Sequence, residues 1–184
     1  PAIVKSIIAI EHVGSSQQLT RDLAAYLDRF YVTLATNEHR AYAYAKSTAA
    51  ARGLVQFIPS TYRALTKLRP DLVAPVDFEN GMLDTYSAIK ATVALLDYNL
   101  SLLPKDLRQR YQGDDRALGA YLAAAYNGGP SRVIRSHKTY GETWYRYRAY
   151  RSASLRRETA DYVAKYQVVF DHFSTPSLHL AAGN

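Results

Sequence analysis

Acid–base chemistry in this chain has to come from carboxylates, because the other usual instruments are missing from its sequence. None of its 184 residues is cysteine, which removes thiol nucleophiles, thiolate metal sites and disulfides together. The five histidines, at 12, 39, 137, 172 and 179, fall in no His-Glu-x-x-His or comparable spacing, so neither a metal nor another cofactor is expected. No Gly-x-Ser-x-Gly elbow presents a serine nucleophile, and no phosphate-cradling glycine loop occurs. Glu11 is the carboxylate with the most unusual setting. It closes Ile7-Ile8-Ala9-Ile10, a run apolar enough to belong to a central helix. A carboxyl held there is desolvated, which raises its pKa and keeps it protonated as a general acid. Glu38 follows Thr33, Thr36 and Asn37, which read as a half-exposed helix end where a glutamate is ordinarily solvated. Asp77 and Glu79 stand just before a helix and suit its capping and dipole.

The elements that must carry these side chains read as helix after helix. Ile3, Val4, Ile7, Ile8 and Ile10 surround most of a short first helix, which predicts burial on nearly all sides, and Gly14, Ser15 and Ser16 end it. A second, amphipathic helix is predicted from about Gln17 to Thr36, with Leu19, Leu23, Tyr26, Leu27, Phe30, Tyr31 and Leu34 in one stripe. Pro59-Ser60-Thr61 opens a short helix bounded by Pro70, and another runs from Asn80 to about Leu103. Gly113 and Asp114 precede an apolar helix, Ala117 to Tyr126, which Asn127-Gly128-Gly129-Pro130 breaks. A last helix is predicted from about Ser154 to Phe173. With no strand pattern and no repeat, the expectation is an all-α chain: one domain over 1–173, and a flexible tail over 174–184. No apolar run approaches the ~18–20 residues of a membrane-spanning helix. The opening at Pro1, without a charged-then-apolar leader, reads as a processed or excised chain.

Three segments, in order, then carry a resemblance. They are Arg52-Gly53-Leu54-Val55-Gln56-Phe57, Ala124-Ala125-Tyr126-Asn127-Gly128-Gly129-Pro130 and Glu158-Thr159-Ala160-Asp161-Tyr162-Val163. Together, over about Ile3 to Phe170, the chain resembles the soluble lytic transglycosylase family, whose signatures read roughly GLMQ, AYNAG and ETxxYV. Val55 in place of methionine is a shape-tolerant exchange. The resemblance implies a lysozyme-like helical domain, related to goose-type lysozymes, with a groove for peptidoglycan glycan strands and one catalytic glutamate.

Two glutamates compete for that role. Glu38 stands 15 residues before Gly53, the separation usual in the family, with Ser47 and Ala51-Arg52 in register. Glu11 has the buried helix, and choosing it makes the following amphipathic helix an insertion after the catalytic one. The family usually has serine after the glutamate, whereas both candidates here precede histidine, His12 or His39. Glu11 is placed ahead of Glu38. The motif residues also have a direct physical reading. Glycines at 53, 128 and 129 permit backbone to approach a sugar, and Gln56 and Asn127 offer acceptors and donors for an N-acetyl group or hydroxyl. Tyr126 adds a flat face with a polar tip. In plain structural terms the same glycines end a helix while Tyr126 packs in the core. By resemblance Tyr162 hydrogen-bonds the catalytic glutamate, while Glu158 and Thr159 support the site.

One carboxyl fits a substrate-assisted route ending in a 1,6-anhydro sugar. Hydrolysis, as in goose-type lysozymes, needs a positioned water, for which Asp77, Glu79 or the unused one of Glu11 and Glu38 would have to serve. An inactive wall-binding scaffold is the other alternative. The formal charge of +7 predicts attraction to polyanions. Arg146, Arg148, Arg151, Arg156 and Arg157, interleaved with Tyr145, Tyr147 and Tyr150, raise nucleic acid as a partner. The ordered motifs argue against nucleic acid, and the expectation is a monomer whose partner is peptidoglycan glycan strands, with attraction to a wall or membrane surface through its basic residues. By resemblance it works in the periplasm or cell envelope, or for a phage.

Overall fold

The computed structural model describes residues 2–13, 15–73 and 77–175. Among them are ten α-helices and no strand: α1 (Ala2–Ile10), α2 (Ser16–Arg21), α3 (Leu23–Asn37), α4 (Pro59–Leu68), α5 (Phe78–Leu83), α6 (Thr85–Ser101), α7 (Lys105–Arg110), α8 (Asp115–Gly128), α9 (Pro130–Tyr140) and α10 (Arg157–Ser174). The all-α expectation therefore holds. Residues 176–184, most of the predicted tail, lie outside the described residues.

The helix boundaries differ from the sequence reading where an aspartate intervenes. The helix predicted from Gln17 to Thr36 is two helices, because Asp22 leaves helical geometry (φ −152°) and its carboxylate accepts the Ala25 N–H at 3.1 Å, capping α3. Upstream, Ser15 and Gln18 form a capping box that starts α2. The helix predicted from Asn80 to Leu103 divides in the same way. Asp84 accepts from the Ser87 N–H at 2.8 Å and starts α6 afresh. Helices α7 and α9 were not predicted, since Pro104 and Pro130 read as stops. In the fold each proline opens a helix, where its missing N–H costs nothing.

The centre is built from α1, α8 and α10. From Ser6 to Ile10 every residue of α1 is buried, whereas Ile3 and Val4 are half-buried. Burying side chains such as Ile7 and Ile10 is worth about 1.5–3 kcal/mol each. Helix α8 buries Gly119 to Ala125 without a break. Gly119 admits Tyr166 of α10 so closely that a Cβ there would lie 1.7 Å from its hydroxyl, which makes the α8–α10 crossing tight. Helix α3 lies outside this centre, over the C-terminal end of α1. It buries Leu27 and Phe30, its Tyr26 hydroxyl donates to the Ala9 carbonyl, and Tyr31 meets Phe173 of α10 edge-on. The predicted stripe of the second helix is thus packed apart from Tyr31, which is 46% exposed.

Candidate active site

Helix α1 ends one residue before Glu11, and that ending places the carboxyl. The Glu11 N–H still bonds the Ile8 carbonyl, while its side chain opens on an interhelical cleft of about 800 Å³. From α10 the Tyr162 hydroxyl donates to Glu11 Oε1. The pKa of Glu11 is pushed up to about 7, chiefly because burial penalises the charged form. The Tyr162 hydrogen bond and the Lys165 ammonium oppose that rise, and Glu158 adds to it. Lys165 is itself buried, with its ammonium 5.5 Å from the Tyr162 ring centroid, 3.4 Å from the Val13 carbonyl and 3.8 Å from Asp161. Asp161 in turn accepts the N–H and hydroxyl of Ser16 at the start of α2. Behind the carboxyl, then, α10 and α2 are tied by a charged network.

The second wall is the loop from Arg52 to Phe57. Gly53 takes a left-handed conformation (φ +74°), and a Cβ there would come within 2.4 Å of the Met82 carbonyl, so only glycine fits. Gln56 is also left-handed (φ +48°). Three consecutive carbonyls of this loop are held by side chains. Gln56 Nε2 donates to Gly53 O at 2.8 Å, His12 Nε2 to Leu54 O at 2.9 Å, and Tyr126 Oη to Val55 O at 2.6 Å. The polar tip of Tyr126 is therefore spent inside the protein, and what it offers the cleft is its ring. Gln56 lines the cleft with its amide nitrogen engaged, which leaves the oxygen as acceptor.

At the end of α8, Asn127 Oδ1 accepts from the Thr159 hydroxyl at 2.8 Å. That bond fixes the amide, and among the described residues no protein acceptor takes its Nδ2. Gly128 does not line the cleft, contrary to its reading as a substrate contact. A Cβ there would strike Thr159 at 2.7 Å, so its smallness serves the α8–α10 crossing. The neighbouring Gly129 lines the cleft with open space where a Cβ would stand.

Of the sequence candidates, Glu11, Gln56, Tyr126, Asn127, Glu158 and Tyr162 share the cleft. Gly53 and Thr159 sit behind it as supports. Glu38 is exposed on the 3-10 turn that ends α3 and lies outside the cleft, as do Asp77, which caps α5, and Glu79, which pairs with Arg52 at 2.7 Å. Sequence reasoning missed the far arm of the cleft, where Ile58, Thr61, Leu65 and Leu68 face Leu95 and Tyr98 of α6. No sequence signal marked it, since the exposure of Ile58 and Leu68 is visible only in the folded chain. Nor does α3 supply any lining residue, so the amphipathic helix expected after Glu11 does not wall an end of the groove.

The family model described as the transglycosylase SLT domain matches residues 24–147. Comparison with curated proteins and with solved structures yields no match. The matched stretch holds the 52–57 loop, the 124–130 segment and Glu38, while Glu11 and Tyr162 lie on either side of it.

Proposed function

We propose a reaction for this chain from one premise: it belongs to the transglycosylase SLT domain family, so its substrate is peptidoglycan and its activity lytic, of the transglycosylase type. Within that activity we assign Glu11 as the single acid/base, acting on the β-1,4 bond between N-acetylmuramic acid and N-acetylglucosamine. The observation that carries the assignment is a carboxyl in the cleft whose pKa is raised to about 7, so that near neutrality both the acid and base forms are accessible. Protonated Glu11 gives its proton to the glycosidic oxygen as the bond from C1 breaks, and the N-acetylglucosamine side departs with a free 4-hydroxyl. The muramyl N-acetyl group supports the cation at C1. Glutamate then takes the proton of the muramyl 6-hydroxyl as O6 bonds to C1, and the 1,6-anhydro ring closes with no water consumed. The enzyme's place of work is the cell envelope, where this substrate is found.

Hydrolysis would need a second acid to position water. Asp77 and Glu79 do not line the cleft, and Asp161, which does, is occupied by Ser16 and Lys165. Glu158 is the other acid in the cleft, and the end groups released decide whether it positions a water. Gln56 and Asn127 are the polar grips for sugar substituents, while Tyr126 supplies a flat ring.

Mass spectrometry of muropeptides released from purified sacculi tests the assignment, since anhydro and reducing ends differ by one water. Wild-type protein should release anhydro ends. Glu11→Gln should release nothing while keeping its far-ultraviolet circular dichroism, and Glu38→Gln should cut at close to the wild-type rate. An active Glu11→Gln with a dead Glu38→Gln would transfer the role to Glu38. Reducing ends would make the enzyme a hydrolase, and binding without release would make it a scaffold.

A further inference from the structure

Resting on the assignment of Glu11, we propose that His12 is a positioning residue that fixes the separation between the Glu11 carboxyl and the loop bearing Gln56. His12 follows Glu11 directly, and its Nε2 reaches the Leu54 carbonyl, 42 positions away, at 2.9 Å. A carbonyl only accepts, so Nε2 carries the proton. Burial holds the imidazole below its ordinary pKa, which keeps a neutral Nε2–H donor. The ring is also held in place. It stacks on Tyr42 with centroids 3.8 Å apart and planes 16° off parallel, and Tyr42 stacks on Phe30 of α3 at 5.8 Å. Of the three loop carbonyls held by side chains, Gly53 O is held from within the loop and Val55 O from α8. Leu54 O alone is held from the turn that carries the acid. If Gln56 grips the sugar and Glu11 delivers the proton, this hydrogen bond sets the distance over which the two must agree. Misplacement by about 1 Å is enough to cost a reaction roughly a hundredfold.

Two substitutions separate donation from packing. His12→Phe keeps a flat ring against Tyr42 and loses the donor, whereas His12→Gln keeps an amide N–H of similar reach and loses the ring. On soluble, uncross-linked glycan strands, His12→Phe should lower kcat about 10- to 100-fold with KM changed less than about threefold, and His12→Gln should recover most of that loss. Hydrogen exchange of the amides at 53–57 should quicken in His12→Phe and return toward wild type in His12→Gln. A wild-type kcat in His12→Phe, or a His12→Gln as impaired as His12→Phe, overturns the proposal. If the wild-type protein cleaves no glycan, the assignment of Glu11 fails instead. Exchange at 53–57 then still judges the tie, and equal exchange in wild type and His12→Phe refutes it.

Discussion

Because Glu11 is desolvated against the Tyr162 hydroxyl, its titration links catalysis to stability. In the proposed reaction Glu11 starts protonated, so kcat/KM should fall as pH rises through about 7. Tyr162 donates to the charged form and lowers the pKa, so Tyr162→Phe should move that falling limb to higher pH. A pH–rate profile of the variant superimposable on wild type would contradict this. The same shift has a sign for folding. The folded pKa, about 7, lies above the ordinary 4.5, so the contribution is fully present below 4.5 and is lost as pH rises through 7. Its size is on the order of 3 kcal/mol. Glu11→Gln, which cannot ionise, should therefore unfold at higher denaturant than wild type at pH 8, with the gap closing by pH 5. Glu11 was legible because an acid at the end of an all-apolar run has nowhere polar to go. Lys165 and Asp161 were not, since a lysine and an aspartate four apart on a helix ordinarily read as a solvated pair. It is tertiary packing that buries the lysine, with its ammonium against the Val13 carbonyl.

Between helices, the small residues of α8 decide how close α10 comes. Gly128 leaves a Cβ-sized space that the β-branched Thr159 fills, and that threonine in turn holds the Asn127 amide. Gly128→Ala should therefore cost about 1–3 kcal/mol by overpacking and lower activity further by displacing Asn127. Thermal melts and turnover measured together would show it, and an unchanged melting temperature would mean that the crossing yields more readily than its geometry indicates. While cap and proline signals bounded α4, apolar patterning found α1 and α8. It overran Asp22 and Asp84, whose side chains cap new helices without interrupting the apolar pattern. It also skipped α7, a single short stretch with one buried residue, Leu107. The glycine at 128 was read as a contact for sugar because sequence shows that a side chain is absent, not which neighbour requires its absence.

For the molecule as a whole, the net charge of +7 matters at distances beyond any contact. Arg148 belongs to the fold rather than to that field, since its guanidinium lies 4.1 Å from the Tyr140 ring centroid and donates to Thr143. Arg146 and Arg151 are exposed. Changing these two to serine should weaken sedimentation with sacculi at about 0.01 M salt, where the Debye length is ~30 Å, and matter little at 1 M, where it is ~3 Å. Equal binding of variant and wild type at both salts would remove the role. The overall helical plan and the motif residues around Glu11 could be read in advance, but the far arm of the cleft could not, because Leu65, Leu68, Leu95 and Tyr98 come from segments that no local pattern connects. Such separation along the chain carries a consequence for how the protein is made. Glu11 and Tyr162 are 151 positions apart, so everything between them must be synthesised before they meet. Contacts of such range close late, after local helices have formed. Until α10 arrives, Glu11 lacks the hydroxyl that orients it and the share of its burial that this helix supplies. With Glu11 as the proposed acid, a chain still on the ribosome is inert, and the docking of α10 arms it.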